Sequence, residues 1–323
     1  VVPWLYEEAV PVESQSTADR RRASSDALQV MLSRATGLSY VPRTEPVQAA
    51  LADAERYYNE FSYASTAEDG LKLVVQFDAR AVLELLKGAD LPIWRSARDR
   101  VIAWVVVESD GARQIIGAAS ADELPAALIA QSRARGLDLN LPLLDLEDQL
   151  NVDPAAVWGR LSQVLEPASQ RYEADVLMVG RIRPQPSGEW LGEWEFWLGN
   201  EVLAHRSSGA DLLAQARDMV DLLTDELAAR NAVLGRQAGI VQLAVSGIRS
   251  AADYGGLLSY LRSLEFIDTV AVNRLQGNRL WIDLQTRADA QQLTSLFEAD
   301  RLLFTDRLAA VDSADLQLVW RQQ

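Results

Sequence analysis

Apolar residues recur at helical spacing first at Ala23, Ala27, Val30, Met31 and Ala35. This spacing predicts a helix from about Ser16, its N-cap, to the last turn before Gly37, with Arg20, Arg21 and Arg22 on the solvent face. A strand over 5–12 precedes it. A helix over 47–56, a strand pair over 57–65 and 71–77 and a helix capped by Asp78 and ending at Gly88 complete a small α+β domain, residues 1–92. Residues 91–100, with Pro92 and several charges, read as a linker.

The pattern then changes to apolar runs typical of strands buried on both faces. VIAWVVVES, LDLNLPLLDL and DVLMVGRI alternate with helices over 121–135 and 154–172, the strand–helix order of a parallel sheet. EWLGEWEFWL alternates large apolar with polar residues and meets EVLAHRSS across Gly199–Asn200, so an antiparallel hairpin should extend this sheet. A helix over 211–232 closes an α/β domain with a mixed sheet, residues 93–235. Residues 236–323 read strand, helix, strand, strand, helix, strand, the βαββαβ order of a ferredoxin-like unit. The expected fold class is therefore α/β and α+β, multi-domain.

The 323 residues are 49% hydrophobic and 24% charged, a composition that builds cores, and the length allows two or three domains. A net charge of −15 repels nucleic-acid phosphate and anionic membrane alike, so no nucleic-acid partner is expected. The longest strictly apolar run, 101–107, falls far short of the roughly 20 residues of a transmembrane helix. With no cysteine, disulfides, thiolate nucleophiles and zinc–thiolate sites are excluded, while the compartment stays open. The sequence begins at Val1 rather than methionine, as expected if a signal peptide or an expression boundary lies upstream.

Candidate chemistry is sparse. The single histidine, His205, has no GxSxG partner motif and reads as an edge-strand residue facing solvent. Lysine occurs only at Lys72 and Lys87, and no phosphate-cradling glycine motif follows any predicted strand. No cofactor is expected. The acidic segment LPLLDLEDQLNVD carries Asp145, Glu147, Asp148 and Asp153 at the carboxyl end of a predicted parallel strand, where open α/β sheets place ligands. Asp145, Glu147 and Asp148 are candidate ligands for Mg²⁺ or Ca²⁺, or an acid/base pair. The competing reading has Asp153 capping the next helix and the others solvated or paired with arginine. Trp190, Trp194 and Trp197 crowd one strand, with Trp190 and Trp194 on one face and Trp197 on the other. Exposed, they would mark a partner surface; buried, they would be core.

Tyr6–Val12 (YEEAVPV), Phe77–Asp78, Leu91–Trp94 (LPIW), Leu141–Asp148 (LPLLDLED), Arg171–Tyr172, Gly180–Arg181 and Trp190 with Trp194 together resemble a family of bacterial periplasmic proteins known as domain of unknown function 2066. The resemblance covers roughly residues 1–235 and implies export to the periplasm and no established activity. More distantly, the domain order is similar to the flagellar assembly protein T family, where an LPP20-like domain precedes one like the N-terminal domain of TolB. The terminal βαββαβ unit departs from that pattern, so a flagellar role does not carry over. The expected function is a non-enzymatic periplasmic accessory or scaffold protein of the cell envelope, binding other envelope proteins. The alternative is a divalent-metal-dependent enzyme or ligand-binding protein using residues 145–153. The sequence does not fix the oligomeric state.

Overall fold

A computed structural model describes residues 2, 4–66, 70–234, 238–306 and 314–321. In chain order the elements are β1 (Glu7–Pro11), α1 (Thr17–Thr36), α2 (Glu45–Ala52), β2 (Tyr58–Thr66), β3 (Gly70–Phe77), α3 (Ala79–Gly88), β4 (Ile93–Trp94), β5 (Arg100–Ser109), β6 (Ala112–Ile116), α4 (Leu124–Arg135) and β7 (Asp138–Asn140). They continue with α5 (Leu146–Asn151), α6 (Pro154–Gly159), α7 (Ser162–Ser169), β8 (Val176–Pro184), β9 (Trp190–Leu198), β10 (Glu201–Gly209), α8 (Leu212–Asn231) and β11 (Ala232–Val233). Last come β12 (Gly239–Ser246), α9 (Ala251–Ser263), β13 (Ile267–Gln276), β14 (Arg279–Thr286), α10 (Ala290–Ala299), β15 (Leu303–Thr305) and β16 (Leu316–Trp320). The protein is a mixed α/β molecule with several sheets, and none of its described helices is long and apolar enough to cross a membrane.

The chain forms two units, each assembled from separate segments: Val1–Glu8, Gln29–Val41 and Ala97–Ala229 in one, Ala9–Leu28, Pro42–Ser96 and Arg230–Gln323 in the other. These cuts differ from the three consecutive domains predicted at 1–92, 93–235 and 236–323. The last predicted boundary, Arg236, lies outside the described residues.

The first unit is built on a sheet in the order β10-β9-β8-β5-β6, with β7 also paired to β5. β5 runs parallel to β8 and to β7, as the sequence predicted, and the hairpin β9–β10 extends the sheet. Both faces of β5 are covered. Ile102, Trp104 and Val106 join Val157 of α6 and Leu165 of α7 in one core layer, while Val101, Ala103 and Val105 are fully buried on the opposite face. Asp110–Gly111 forms a hairpin turn into β6, a strand the sequence reading passed over. The helix predicted over 154–172 is broken instead. Arg160 adopts a left-handed conformation (φ 52°) that ends α6, and Pro167 sits inside α7. Segment 29–41 is held by buried arginines: Arg34 pairs with Glu8 and donates to the Arg133 carbonyl (2.6 Å), and Arg135 donates to the Gly37 carbonyl (2.9 Å) and pairs with Asp221 and Asp225 of α8.

The second unit holds a sheet in the order β13-β14-β12-β16-β15. Strand, helix, strand, strand, helix follow as predicted, but two strands come after α10 instead of one. β15 was missed because LFT is too short to show alternation, and β16 then turns back to lie parallel to β12. Residues 91–100 are no free linker. β4 pairs with β11, Trp94 is 4% exposed, and buried Arg95 pairs with Asp300, which also accepts from Tyr260 (2.6 Å). Lys87 bonds Asp268 at 2.5 Å and Ser96 N–H donates to Glu265 at 2.9 Å, so the segment around α3 is fastened to the β12–β16 sheet. Asp78 caps α3 by accepting from the Arg80 and Ala81 N–H groups, as its position predicted.

Candidate functional site

The acidic segment turns on Leu144. Its φ of 55° lies in the left-handed region, which costs a branched L-residue roughly 1–2 kcal/mol. Three hydrogen bonds hold the turn. The Leu144 N–H donates to Asp148 Oδ2 (2.8 Å), its carbonyl accepts from Gln149 Nε2 (2.7 Å), and the Leu143 N–H donates to the Tyr172 hydroxyl (3.0 Å). The turn sits against Gly117, where a Cβ would lie 2.6 Å from Leu144 Cδ1 and 2.9 Å from the Pro142 carbonyl oxygen, so only glycine leaves room. With Leu144 packed on the core, the apolar side chains on either side of it go the other way. Leu143, Leu146 and Leu150 are 56%, 72% and 76% exposed.

The carboxylates form the frame of this display. Asp145 caps α5 by accepting from the Asp148 N–H (3.1 Å), and Arg171 grips it with Nη1 and Nη2 at 2.8 and 2.9 Å. Arg171 also bonds Asp148 (3.0 Å) and lies 3.6 Å from Glu147. Asp148, 1% exposed, accepts in addition from the Tyr172 hydroxyl at 2.5 Å. The Arg171 hydrogen bonds hold the Asp145 carboxyl well below the usual carboxylate range, and the same pair raises Arg171. Burial, reinforced by the bond to Asp148, pushes the Tyr172 phenol up to about 12.

The three predicted metal candidates are therefore brought together, around the guanidinium of Arg171 as their shared cation. Among the described residues no group of three His, Cys, Asp or Glu side chains is placed to hold a metal ion. Beside the network, α5 and α7 border a cleft of about 290 Å³ lined by Glu147, Asp148, Asn151, Gln163 and Arg171. Asp153 caps α6 by accepting from the Ala156 N–H (2.7 Å).

The tryptophan candidates are corrected by the structure, because β9 is an interior strand with side chains packed on both faces. Trp194 is fully buried, pressed onto Gly180, where a Cβ would lie 2.4 Å from its ring, and its Nε1 donates to Ser207 Oγ (3.2 Å). Trp197 is 7% exposed in the opposite core layer, with Nε1 on Glu195 (3.0 Å). Trp190 is half-buried and its carbonyl accepts from Gln215. His205 does lie on the edge strand β10, but its ring rests 4.8 Å from that of Phe196 rather than standing free in solvent. Leu143, Leu146 and Leu150 were missed. Leu146 and Leu150, at i, i+4 spacing behind the cap Asp145, carry a helical signal that reading the whole apolar run as strand obscures, and Leu143 precedes the turn.

Residues 1–95 match the family model of a domain of unknown function, DUF8605, a family other than the one numbered 2066. No curated protein matches the chain. Among solved structures, a competence-damaged protein (CinA) superfamily protein from Enterobacter cloacae is 17% identical, covering 42% of this chain and 83% of its own, with a TM-score of 0.21. An uncharacterized protein is 12% identical over 41% and 89%, TM-score 0.17. A PfkB family carbohydrate kinase from Listeria grayi is 14% identical over 62% and 78%, TM-score 0.18. Likenesses this weak carry no argument about fold or function.

Proposed function

We propose that this protein is a non-enzymatic interaction module of the bacterial cell envelope, working in the periplasm, that docks another envelope protein through Leu143, Leu146 and Leu150. The observation that carries this reading is the exposure of these three leucines on a turn held by Asp148, Gln149 and Tyr172. Leucines exposed together, rimmed by polar residues, are a recurrent mark of a partner surface. The periplasmic setting rests on the resemblance of residues 1–235 to the periplasmic family numbered 2066. Within the same reading residues 1–92 are LPP20-like, 93–235 resemble the N-terminal domain of TolB, and 236–323 are a ferredoxin-like unit enlarged by one strand after α10.

The alternative, a divalent-metal or ligand site at residues 145–153, draws on the cleft beside Asp148; a metal there would have to displace Arg171 from two carboxylates. The test of the docking reading is a Leu146→Asp/Leu150→Asp protein compared with wild type in cells lacking the native copy. Loss of cross-linked partner and of complementation, at an unchanged melting temperature, is the expected result. Full complementation by the double variant rejects the surface, and recovery of wild type in the cytoplasmic fraction rejects the compartment.

A further inference from the structure

The sheet of the first unit ends on β6, and the register of its hairpin says which backbone groups are free. Asp110 and Gly111 have φ of 51° and 77°, the pair of positive values that marks a type I′ turn. In such a hairpin the flanking residues, Ser109 and Ala112, exchange both hydrogen bonds, and bonded and non-bonded pairs alternate from there. Ala112, Gln114 and Ile116 therefore bond to β5, while the N–H and C=O groups of Arg113 and Ile115 point away from it. Among the described residues no strand pairs with that outer side; β7 shares this edge of β5 but pairs only with Arg100–Ile102.

The side chains of the hairpin divide by the same alternation. Ile115 enters the core with Trp104 and Val106. Ala112, Gln114 and Ile116 face the other layer, where a cleft of about 290 Å³ runs between them and the first turns of α4 and α8. Its walls are apolar, from Val107, Ile116, Leu124, Leu212 and Leu213, and its rim carries Asp122 and Glu123. Asp122 accepts from the Leu124 N–H (3.2 Å), whereas the exposed Glu123 side chain takes no part in capping α4.

We propose that β6 is a strand-addition site for an extended segment of another protein, with apolar side chains at alternate positions and a basic residue at the end that meets Asp122 and Glu123. Three features agree on this occupant. A free edge satisfies the backbone of an extended peptide, and an apolar cleft on one face takes every second side chain. The acidic rim selects a cationic end, and a second copy of this chain, itself at −15, is the wrong charge. The site is separate from the leucine surface and does not depend on it.

The probe is a capped hexapeptide, Lys-Thr-Val-Thr-Val-Thr, titrated into the full chain and followed by amide shifts and calorimetry. Its lysine and valines are to lie over the cleft, and its threonine backbones are to bond Arg113 and Ile115. Saturable binding centred on β6 is expected, together with no binding by the peptide N-methylated at its threonines. Arg113→Pro removes an N–H on the free side only, a place where strands tolerate proline. It should weaken binding at least about tenfold, while Arg113→Ala, which loses the same guanidinium contacts but keeps the N–H, stays within about twofold. Glu123→Lys should weaken binding in low salt. Equal binding of the N-methylated peptide overturns the proposal even if Arg113→Pro fails to fold. So does the absence of saturable binding, or self-association of the free chain through β6.

Discussion

The turn at residues 143–150 and the strand at 190–198 distribute polarity in opposite senses. In the turn the carboxylate of Asp148 is 1% exposed and the Leu150 side chain 76%; in the strand Trp194 and Phe196 are both fully buried, and Glu193 and Glu195 are paired with arginines. The strand follows the ordinary rule because neighbours on both sides and both faces leave apolar groups nowhere else to go. The turn reverses it because one left-handed residue rotates the chain by a step, and four polar side chains hold that step in place. Burial of a charge, then, is here the means of exposing leucine.

The largest effect that would sharpen this contrast is at the strand. Trp194→Ala should lower stability by about 3–5 kcal/mol in denaturant unfolding, since the ring fills the space above Gly180; a loss below about 1 kcal/mol would mean the side chain is not core. At the turn, Asp148→Asn keeps the shape but loses the charge facing Arg171, and its amide nitrogen must replace either Oδ1, the acceptor of Arg171, or Oδ2, the acceptor shared by the Leu144 N–H and the Tyr172 O–H. Its expected cost is about 1–3 kcal/mol, with faster hydrogen exchange at Leu143 and Leu144.

A smaller effect is set by pH. The Tyr172 phenol is raised in the folded state, so its contribution is complete below the unfolded value near 10 and is lost as pH climbs toward about 12. Ultraviolet titration should find one phenol ionising near 12, and Tyr172→Phe should remove it. Asp145, lowered by Arg171, works on the other side: its contribution is present above about pH 4 and fades as acid protonates it. Millimolar Mg²⁺ or Ca²⁺ should shift the melting temperatures of wild type and Asp145→Asn alike. A wild-type-specific gain approaching the roughly 2.7 kcal/mol of a ligand at a hundred times its Kd would favour the metal reading. The smallest effect belongs to the display itself, where Leu146→Ser and Leu150→Ser should each change stability by less than about 0.5 kcal/mol.

Much of the fold was legible wherever one local rule decided the outcome. Asp78 before its helix, Gly37 and Gly136 after theirs, the Gly277 hairpin and the alternation of Trp194 with Trp197 are each where the sequence put them. The illegible parts are those where tertiary bonds override local preference. LPLLDLED contains Asp148, one of the residues that hold the left-handed Leu144, but not the distant Tyr172 and Arg171 that fix Asp148 and the turn in place. Likewise Asp110–Gly111 is a strong turn signal whose following ARQII looks too polar for a strand until β5 supplies its partner. The spacing of Asp145, Glu147 and Asp148 puts three carboxylates on one short segment but does not show Arg171, 23 positions beyond Asp148, as the cation they share.

The interleaving of the two units has a consequence for how the chain is made. Residues 9–28 and 42–96 leave the ribosome early, yet the unit they belong to is finished by 230–323. At synthesis rates of 5–20 residues per second, roughly 10–60 s separate those early segments from the last residues of their unit, while every segment of the other unit has been made by residue 229. The second unit is thus completed only by the last segment, so cutting the chain after residue 229 would remove its β12–β16 sheet while sparing every segment of the first unit.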